Sequence, residues 1–222
     1  MSNNKKIPLE YIVREPQVRT KRPPVIFMLH GYGSNEEDLF SFADALPAEY
    51  MIISFRAPYH LVTFGYAWYM INFDTEQENF SDNEQAIASR DLIMQCIEEL
   101  CKLYDLDNKN ITLLGFSQGS ILSMAIALSY PKKIRNVIAL SGYVNKEILK
   151  EGYARENHSA TRFYVSHGAS DQVIPVEWAR QTPEFLKNLG IKYKYEEFPI
   201  GHGVSPQNFY SFRDWLTEQW YG

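Results

Sequence analysis

Gly115-Phe116-Ser117-Gln118-Gly119 lies between the apolar, β-prone run Ile111-Thr112-Leu113-Leu114 and the helix-forming run Ser120-Ile121-Leu122-Ser123-Met124-Ala125-Ile126-Ala127-Leu128. The order strand, tight turn, helix around a single serine reads as a nucleophile elbow. A serine hydroxyl attacks carbonyl carbon only when a base can take its proton and N–H groups face the oxyanion that forms. A sharp strand-to-helix turn presents the hydroxyl in that way. The flanking glycines are its steric condition, because a Cβ at either place would strike the neighbouring strand or helix.

Downstream of Ser117 the chain offers few partners. Only two aspartates follow it, Asp171 and Asp214, and His202 is the only histidine after Asp171. Glutamates at 147, 151, 156, 177, 184, 196 and 197 are the alternative carboxylates, but none joins a strand end to a turn signature. Asp171 does: it follows the strand-like Arg162-Phe163-Tyr164-Val165-Ser166 inside His167-Gly168-Ala169-Ser170-Asp171. His202 follows Tyr193-Lys194-Tyr195-Glu196-Glu197-Phe198 and is flanked by Gly201 and Gly203. Serine, then aspartate, then histidine, each at the mouth of a successive strand, is the chain order of the α/β-hydrolase fold. Ser117, Asp171 and His202 are therefore the expected nucleophile, orienting acid and general base. His167 is expected as a neighbour of the site, and His60 and His158 as solvated or structural.

A second motif supplies backbone donors. Pro24-Val25-Ile26-Phe27-Met28-Leu29 is an unbroken apolar strand, followed at once by His30-Gly31-Tyr32-Gly33-Ser34. A glycine-flanked turn there exposes amides that can pair with the amide following the nucleophile. The expected oxyanion hole is the backbone N–H groups of Tyr32 and Gln118, each such donor lowering a barrier by about 2.7–4 kcal/mol. His30 itself is expected to pack beneath the loop.

Met28-Leu29-His30-Gly31-Tyr32-Gly33, the elbow with its Ser-Gln-Gly, His167-Gly168 with Asp171 and Val173-Ile174-Pro175, and Gly201-His202-Gly203 together resemble the phospholipase/carboxylesterase family that includes the acyl-protein thioesterases. The resemblance spans about residues 24–219. It implies a small α/β-hydrolase that cleaves carboxylic esters or thioesters without a cofactor, with Ser117, Asp171 and His202 in the roles given above. Ser120, Met70 and Tyr143 stand where the family more often has glycine, an acidic residue and tryptophan.

The remaining chain fits one domain over residues 1–222, long enough to bury about 70% of its extended surface. Apolar residues make up 45% and charged residues 22% of the chain, and the net charge of −5 argues against a nucleic-acid partner. No segment has the apolar length of a membrane span, the N-terminus carries no signal-like apolar run, and the expected compartment is the cytoplasm. Cys96 and Cys101 are expected as reduced apolar fillers on one helix, and no spacing suggests a metal site.

The expected architecture is a mostly parallel central sheet with helices on both faces and an antiparallel N-terminal edge strand, Leu9 to Val13. A helix should open at Asn35-Glu36-Glu37-Asp38-Leu39 with acids in its first turn. Ser81 and Glu84 read as a capping box before a long helix. Pro183 should kink or shorten a helix running from Val176 to Leu189, and Ser205-Pro206 should cap the last one. Residues 57–80 crowd Tyr59, Phe64, Tyr66, Trp68, Tyr69, Phe73 and Phe80 into one stretch of little helical period. They read either as the wall of an acyl or aryl pocket, with Trp68 and Tyr69 foremost, or as the cover of a sheet edge or a homodimer contact. Phe116 and Tyr143 join them as substrate-binding candidates. The expected activity is hydrolysis of a small-molecule ester or thioester; the rivals are peptidase, lactonase or deacetylase chemistry, and a non-catalytic binding module on the same fold.

Overall fold

The computed structural model describes residues 7–71 and 81–221. In chain order the elements are β1 (Tyr11–Arg14), β2 (Val25–Leu29), a 3-10 helix (Leu39–Ala45), β3 (Met51–Phe55), β4 (Tyr59–His60), β5 (Tyr66–Ala67), α1 (Asn83–Leu103), β6 (Ile111–Phe116), α2 (Gln118–Ser129), β7 (Asn136–Leu140), β8 (Arg162–Gly168), α3 (Val176–Ala179), α4 (Thr182–Asn188), β9 (Lys192–Phe198) and α5 (Pro206–Tyr221), with two single 3-10 turns at Lys146–Ile148 and Tyr153–Arg155. Seven strands form one sheet in the order β1-β3-β2-β6-β7-β8-β9. Only β1 runs antiparallel to its neighbour.

Side chains alternate across a strand, so the apolar runs sort into two cores. Val25, Phe27 and Leu29, with Ile53, Leu113, Val137 and Phe163, face α1 and α2. Ile26 and Met28, with Ile52, Leu114, Ile138 and Tyr164, face the 3-10 helix and α5 through Leu39, Ala43, Phe212, Trp215 and Leu216. The strands are apolar without alternation because both faces are covered, which also places helices on both sides of the sheet as expected. At β1, an edge strand, all four residues are only half-buried.

Local chemistry departs from expectation at two helix starts, Glu36 and Ser81, and follows it at Pro183. Glu36 does not open an α-helix; its carboxylate is taken by Arg56, and a 3-10 helix begins at Leu39 instead. The cap of α1 is Asp82, whose Oδ1 accepts the Gln85 N–H at 3.0 Å, while Ser81 forms a lone bridge with Ile71. At Pro183 the run splits: α3 ends at Ala179 and α4 begins at Thr182 with the proline in its first turn, where a missing N–H is tolerated. Ser205 Oγ accepts the Asn208 N–H at 3.2 Å, capping α5. Phe73 and Phe80 lie outside the described residues.

Two glycines allow β6 to turn into α2. A Cβ on Gly119 would sit 2.0 Å from the Leu29 carbonyl oxygen and 2.7 Å from that of His30; one on Gly115 would sit 2.3 Å from the Gly119 carbonyl oxygen. These contacts are backbone against backbone and cannot yield by a rotamer change. Gly119→Ala is expected to destabilise the fold by about 1–3 kcal/mol or more, read as a lowered midpoint in urea denaturation. A midpoint equal to the parent would show that α2 does not rest on β2 as described.

Candidate active site

The C-terminal ends of β2, β6, β7, β8 and β9 lie side by side. Their registers pair Leu29 with Gly115, Phe116 with Leu140, Leu140 with Ser166, and Gly168 with Phe198. The loops that leave these ends therefore converge on one edge, as parallel strands require. Ser117 is the first residue past β6 and holds φ +53°, ψ −119°, a conformation uncommon for a residue with a side chain. Its N–H donates to the Leu140 carbonyl at 2.9 Å, and its own carbonyl accepts from Ser120 and Ile121 at 2.9 and 3.1 Å. The strained turn is thus fixed on both sides.

The structure brings the three expected residues into one line. His202 Nε2 lies 2.9 Å from Ser117 Oγ, and His202 Nδ1 lies 2.7 Å from Asp171 Oδ2. Asp171 Oδ1 accepts the N–H groups of Val173 and Ile174 at 2.8 and 3.0 Å. Burial works to raise the Asp171 pKa, but hydrogen bonds from His202, Ile174 and Val173 outweigh it and hold the carboxyl below its ordinary value. The loops carrying Asp171 and His202 are laced together by backbone: Ala169 and Ser170 N–H groups donate to the Phe198 and Ile200 carbonyls. A Cβ on Gly168 would lie 2.1 Å from the Gly201 carbonyl oxygen, so only glycine permits this approach.

Around the nucleophile the other candidates fall into different places. Gly31 passes so close that a Cβ on it would lie 3.4 Å from Ser117 Cβ and 3.1 Å from Phe116 Cδ1, which puts Tyr32, the next residue, beside the elbow. Gln118 is the first residue of α2, where helix geometry gives the N–H no intrahelical acceptor. The Phe116 ring flanks His202, with the ring centroids 4.9 Å apart. His30 is fully buried under the first loop: its Nε2 accepts the Ala57 N–H at 3.1 Å, so Nδ1–H donates to the Gly31 carbonyl at 2.7 Å. Burial pushes this imidazole below the usual histidine value and keeps it a neutral strut.

Trp68 and Tyr69 do not present a wall to substrate. Both rings are buried, with 0% and 1% of their surface exposed. Trp68 Nε1–H donates to the His30 carbonyl at 2.9 Å, and the Gln118 side chain bridges the segment, accepting from Trp68 N–H and donating to the Tyr69 carbonyl at 2.7 Å each. Sequence reasoning placed Gln118 by its backbone alone; the amide side chain is a second function, tying the residue after the nucleophile to the segment behind it. A lone glutamine offers no sequence signal for partners about 50 positions away. The β4 and β5 hairpin braces the same region, with Gly33 N–H donating to Tyr66 and Tyr66 N–H to Ser34 at 2.9 and 2.8 Å.

Tyr143 borders a cleft of about 690 Å³ whose wall includes Trp178, Phe185, Gln181 and Thr182. Its ring meets Trp178 edge-on at 5.1 Å. Gly142, the residue before Tyr143, packs on α2, where a Cβ would sit 2.5 Å from Ser120 Oγ, but Ser117, Asp171 and His202 do not line the cleft itself. Of the expected substrate-binding residues, Tyr143 alone lines this cleft.

Residues 11–219 match the model of the family described as Phospholipase/Carboxylesterase. The chain belongs to that family. It is 27% identical over 210 residues to acyl-protein thioesterase 1 of Emericella nidulans, covering 84% of this chain and 86% of that protein. A probable carboxylesterase of Oryza sativa subsp. japonica is 34% identical over 115 residues, 49% of this chain and 41% of its own length. The chain thus spans less than half of that relative. The crystal structure of esterase PE8 superposes with a TM-score of 0.82 at 24% identity, covering 95% of this chain and 98% of that one, and shows the shared α/β-hydrolase fold. Among the described residues no helix is long and apolar enough to cross a membrane.

Trp68→Ala is expected to lower stability by about 3–5 kcal/mol, measured by chemical denaturation. An unchanged midpoint with a raised KM would return Trp68 to the substrate wall. Because Asp171, Glu36, Glu196 and Glu197 all have lowered pKa values in the fold, they stabilise it above the ordinary carboxylate range, and that contribution is lost as pH falls through their folded values. Thermal melts should therefore show a falling midpoint on the acid side of about pH 4; a flat profile down to pH 2 would contradict the pairing.

Proposed function

We propose that the chain is a serine hydrolase acting on carboxylic esters or thioesters of small to medium acyl groups through an acyl-enzyme. The observation that carries the reading is the unbroken line from Ser117 Oγ through His202 to the buried Asp171. In this cycle His202 Nε2 removes the hydroxyl proton as Oγ forms a bond to the carbonyl carbon. The same proton then passes to the departing alcohol or thiol as its bond to carbon breaks. Asp171, which accepts from His202 Nδ1, fixes the tautomer that leaves Nε2 free to act as base and offsets the imidazolium charge. Water enters by the same path and releases the acid; no cofactor takes part.

The Tyr32 and Gln118 backbone N–H groups are assigned the tetrahedral oxyanion. The closeness of Gly31 to Ser117 supports the first, and the position of Gln118 at the start of α2 supports the second. Phe116, packed on the His202 ring, bounds the space above the reacting carbon. The cleft lined by Tyr143 is the assigned seat of the acyl or leaving group, reached past Gly142, which packs against Ser120 of the helix that Ser117 leads. Its mixture of aromatic rings with Gln181 and Thr182 suits a short or polar group better than a long, bare alkyl chain. The two cysteines, both free and buried, agree with a reducing cytoplasm.

Ser117→Ala should abolish turnover and labelling by a fluorophosphonate probe, while Asp171→Asn should lower kcat on the order of 10⁴-fold. A labelled Ser117→Ala protein would place the nucleophile elsewhere. With p-nitrophenyl esters of increasing chain length, kcat/KM should peak at short to medium acyl groups, and Tyr143→Ala should raise KM at that peak. A rate that keeps rising with chain length would reject the size limit.

A further inference from the structure

His167 is the last residue but one of β8, four positions before Asp171, and its side chain is fully buried. Its Nε2 lies 2.9 Å from the Ile174 carbonyl oxygen and 3.2 Å from Asp171 Oδ2, the same oxygen that His202 engages. A carbonyl oxygen only accepts, so Nε2 must carry the proton. That one N–H donates to the Ile174 carbonyl, and its positive end lies beside the carboxylate, with Nε2 3.2 Å from Asp171 Oδ2. The other ring nitrogen, Nδ1, is buried with no hydrogen-bond partner among the described residues. A proton placed there would be an unmatched buried donor, the rarer and more costly kind of orphan, so the environment selects the Nε2–H tautomer. Glu197, opposite His167 in the sheet register, is taken by Arg180 and Tyr195 and does not compete for the ring.

We propose that His167 is a positioning residue: its Nε2–H ties down the Ile174 carbonyl of the loop that grips Asp171 and, 3.2 Å from Oδ2, favours the carboxylate angle from which that oxygen orients His202. The carboxylate is then gripped from three sides. Val173 and Ile174 amides hold Oδ1, while His167 and His202 share Oδ2. Without His167 the backbone amides still hold the carboxylate, but it can rotate about its Cβ–Cγ bond and leave the His202 Nδ1–H poorly aligned. Ground-state substrate binding does not involve this contact, so kcat should change and KM should not.

The inference rests on the assignment of Ser117, His202 and Asp171 as the catalytic line, and the experiment separates the two. In the full chain, His167→Phe keeps a buried ring but removes the donor, and is expected to lower kcat about ten- to a hundredfold with KM unchanged. His167→Gln, whose Nε2 can supply the same N–H, should restore most of the rate. The downfield proton resonance of the His202–Asp171 hydrogen bond should shift in His167→Phe and return in His167→Gln. Equal kcat values in all three folded proteins, with that resonance unmoved, would overturn the role, as would a wild-type nitrogen–proton correlation spectrum showing His167 protonated at Nδ1. That spectrum needs no variant, so it decides the matter even where a substitution fails to fold. If Ser117→Ala retained turnover, the catalytic assignment itself would fall; if it were inactive while His167→Phe matched the parent, only the role of His167 would.

Discussion

The parallel pairing of β2 with β6 is the constraint on which the site depends. Leu29 stands opposite Gly115, so the chain leaving β2 and the chain leaving β6 depart from adjacent points at the same height. One carries the Gly31-Tyr32 backbone, the other the serine. Their closeness then becomes a matter of glycine, since Gly119 lies against the Leu29 and His30 carbonyls and Gly31 against the Ser117 and Phe116 side chains. A register slip of one residue would turn the slipped strand inside out between the two cores and part the two loops. The strained backbone at Ser117 is held because so much around it is already fixed.

Behind this front lies a layer of buried polar bonds that never meets solvent. His30, Trp68 and Gln118 form a closed circuit: ring to Gly31 carbonyl, indole to His30 carbonyl, amide to both Trp68 and Tyr69. Each donor in it has an acceptor, so burial stiffens the circuit instead of weakening it. Its effect is to set where the first loop can stand relative to the elbow. Arg56 extends the brace outward, bound to Glu36 and Glu10 and lying over the Tyr66 ring.

Much of this was legible in the sequence. Continuous apolar runs marked the buried strands, because a strand covered on both faces cannot alternate. The meeting of Ser117, Asp171 and His202 was readable because few residues of the right kind followed the serine, each after its own strand. What was illegible depended on partners distant along the chain. The density of aromatic rings near Trp68 said nothing of which side they face, and the rings turned inward because the Trp68 indole and backbone found bonds at His30 and Gln118. Glu36 looked like a helix-opening acid until Arg56, twenty positions on, claimed it. Ser81 lost the α1 cap to Asp82 by a single residue, a shift that periodicity cannot resolve.

The three side chains of the Ser117–His202–Asp171 line do not share one mechanical footing. Ser117 issues from β6 at the centre of the sheet, whereas His202 follows β9, the outermost strand, whose residues are mostly exposed or half-covered. Sheet margins open at lower free energy than centres. His202 is therefore mounted on the part of the molecule that loosens first, and Ser117 on the part that loosens last. Loss of turnover and loss of structure are consequently distinct events in this architecture, with the former able to occur reversibly while most of the scaffold stays intact.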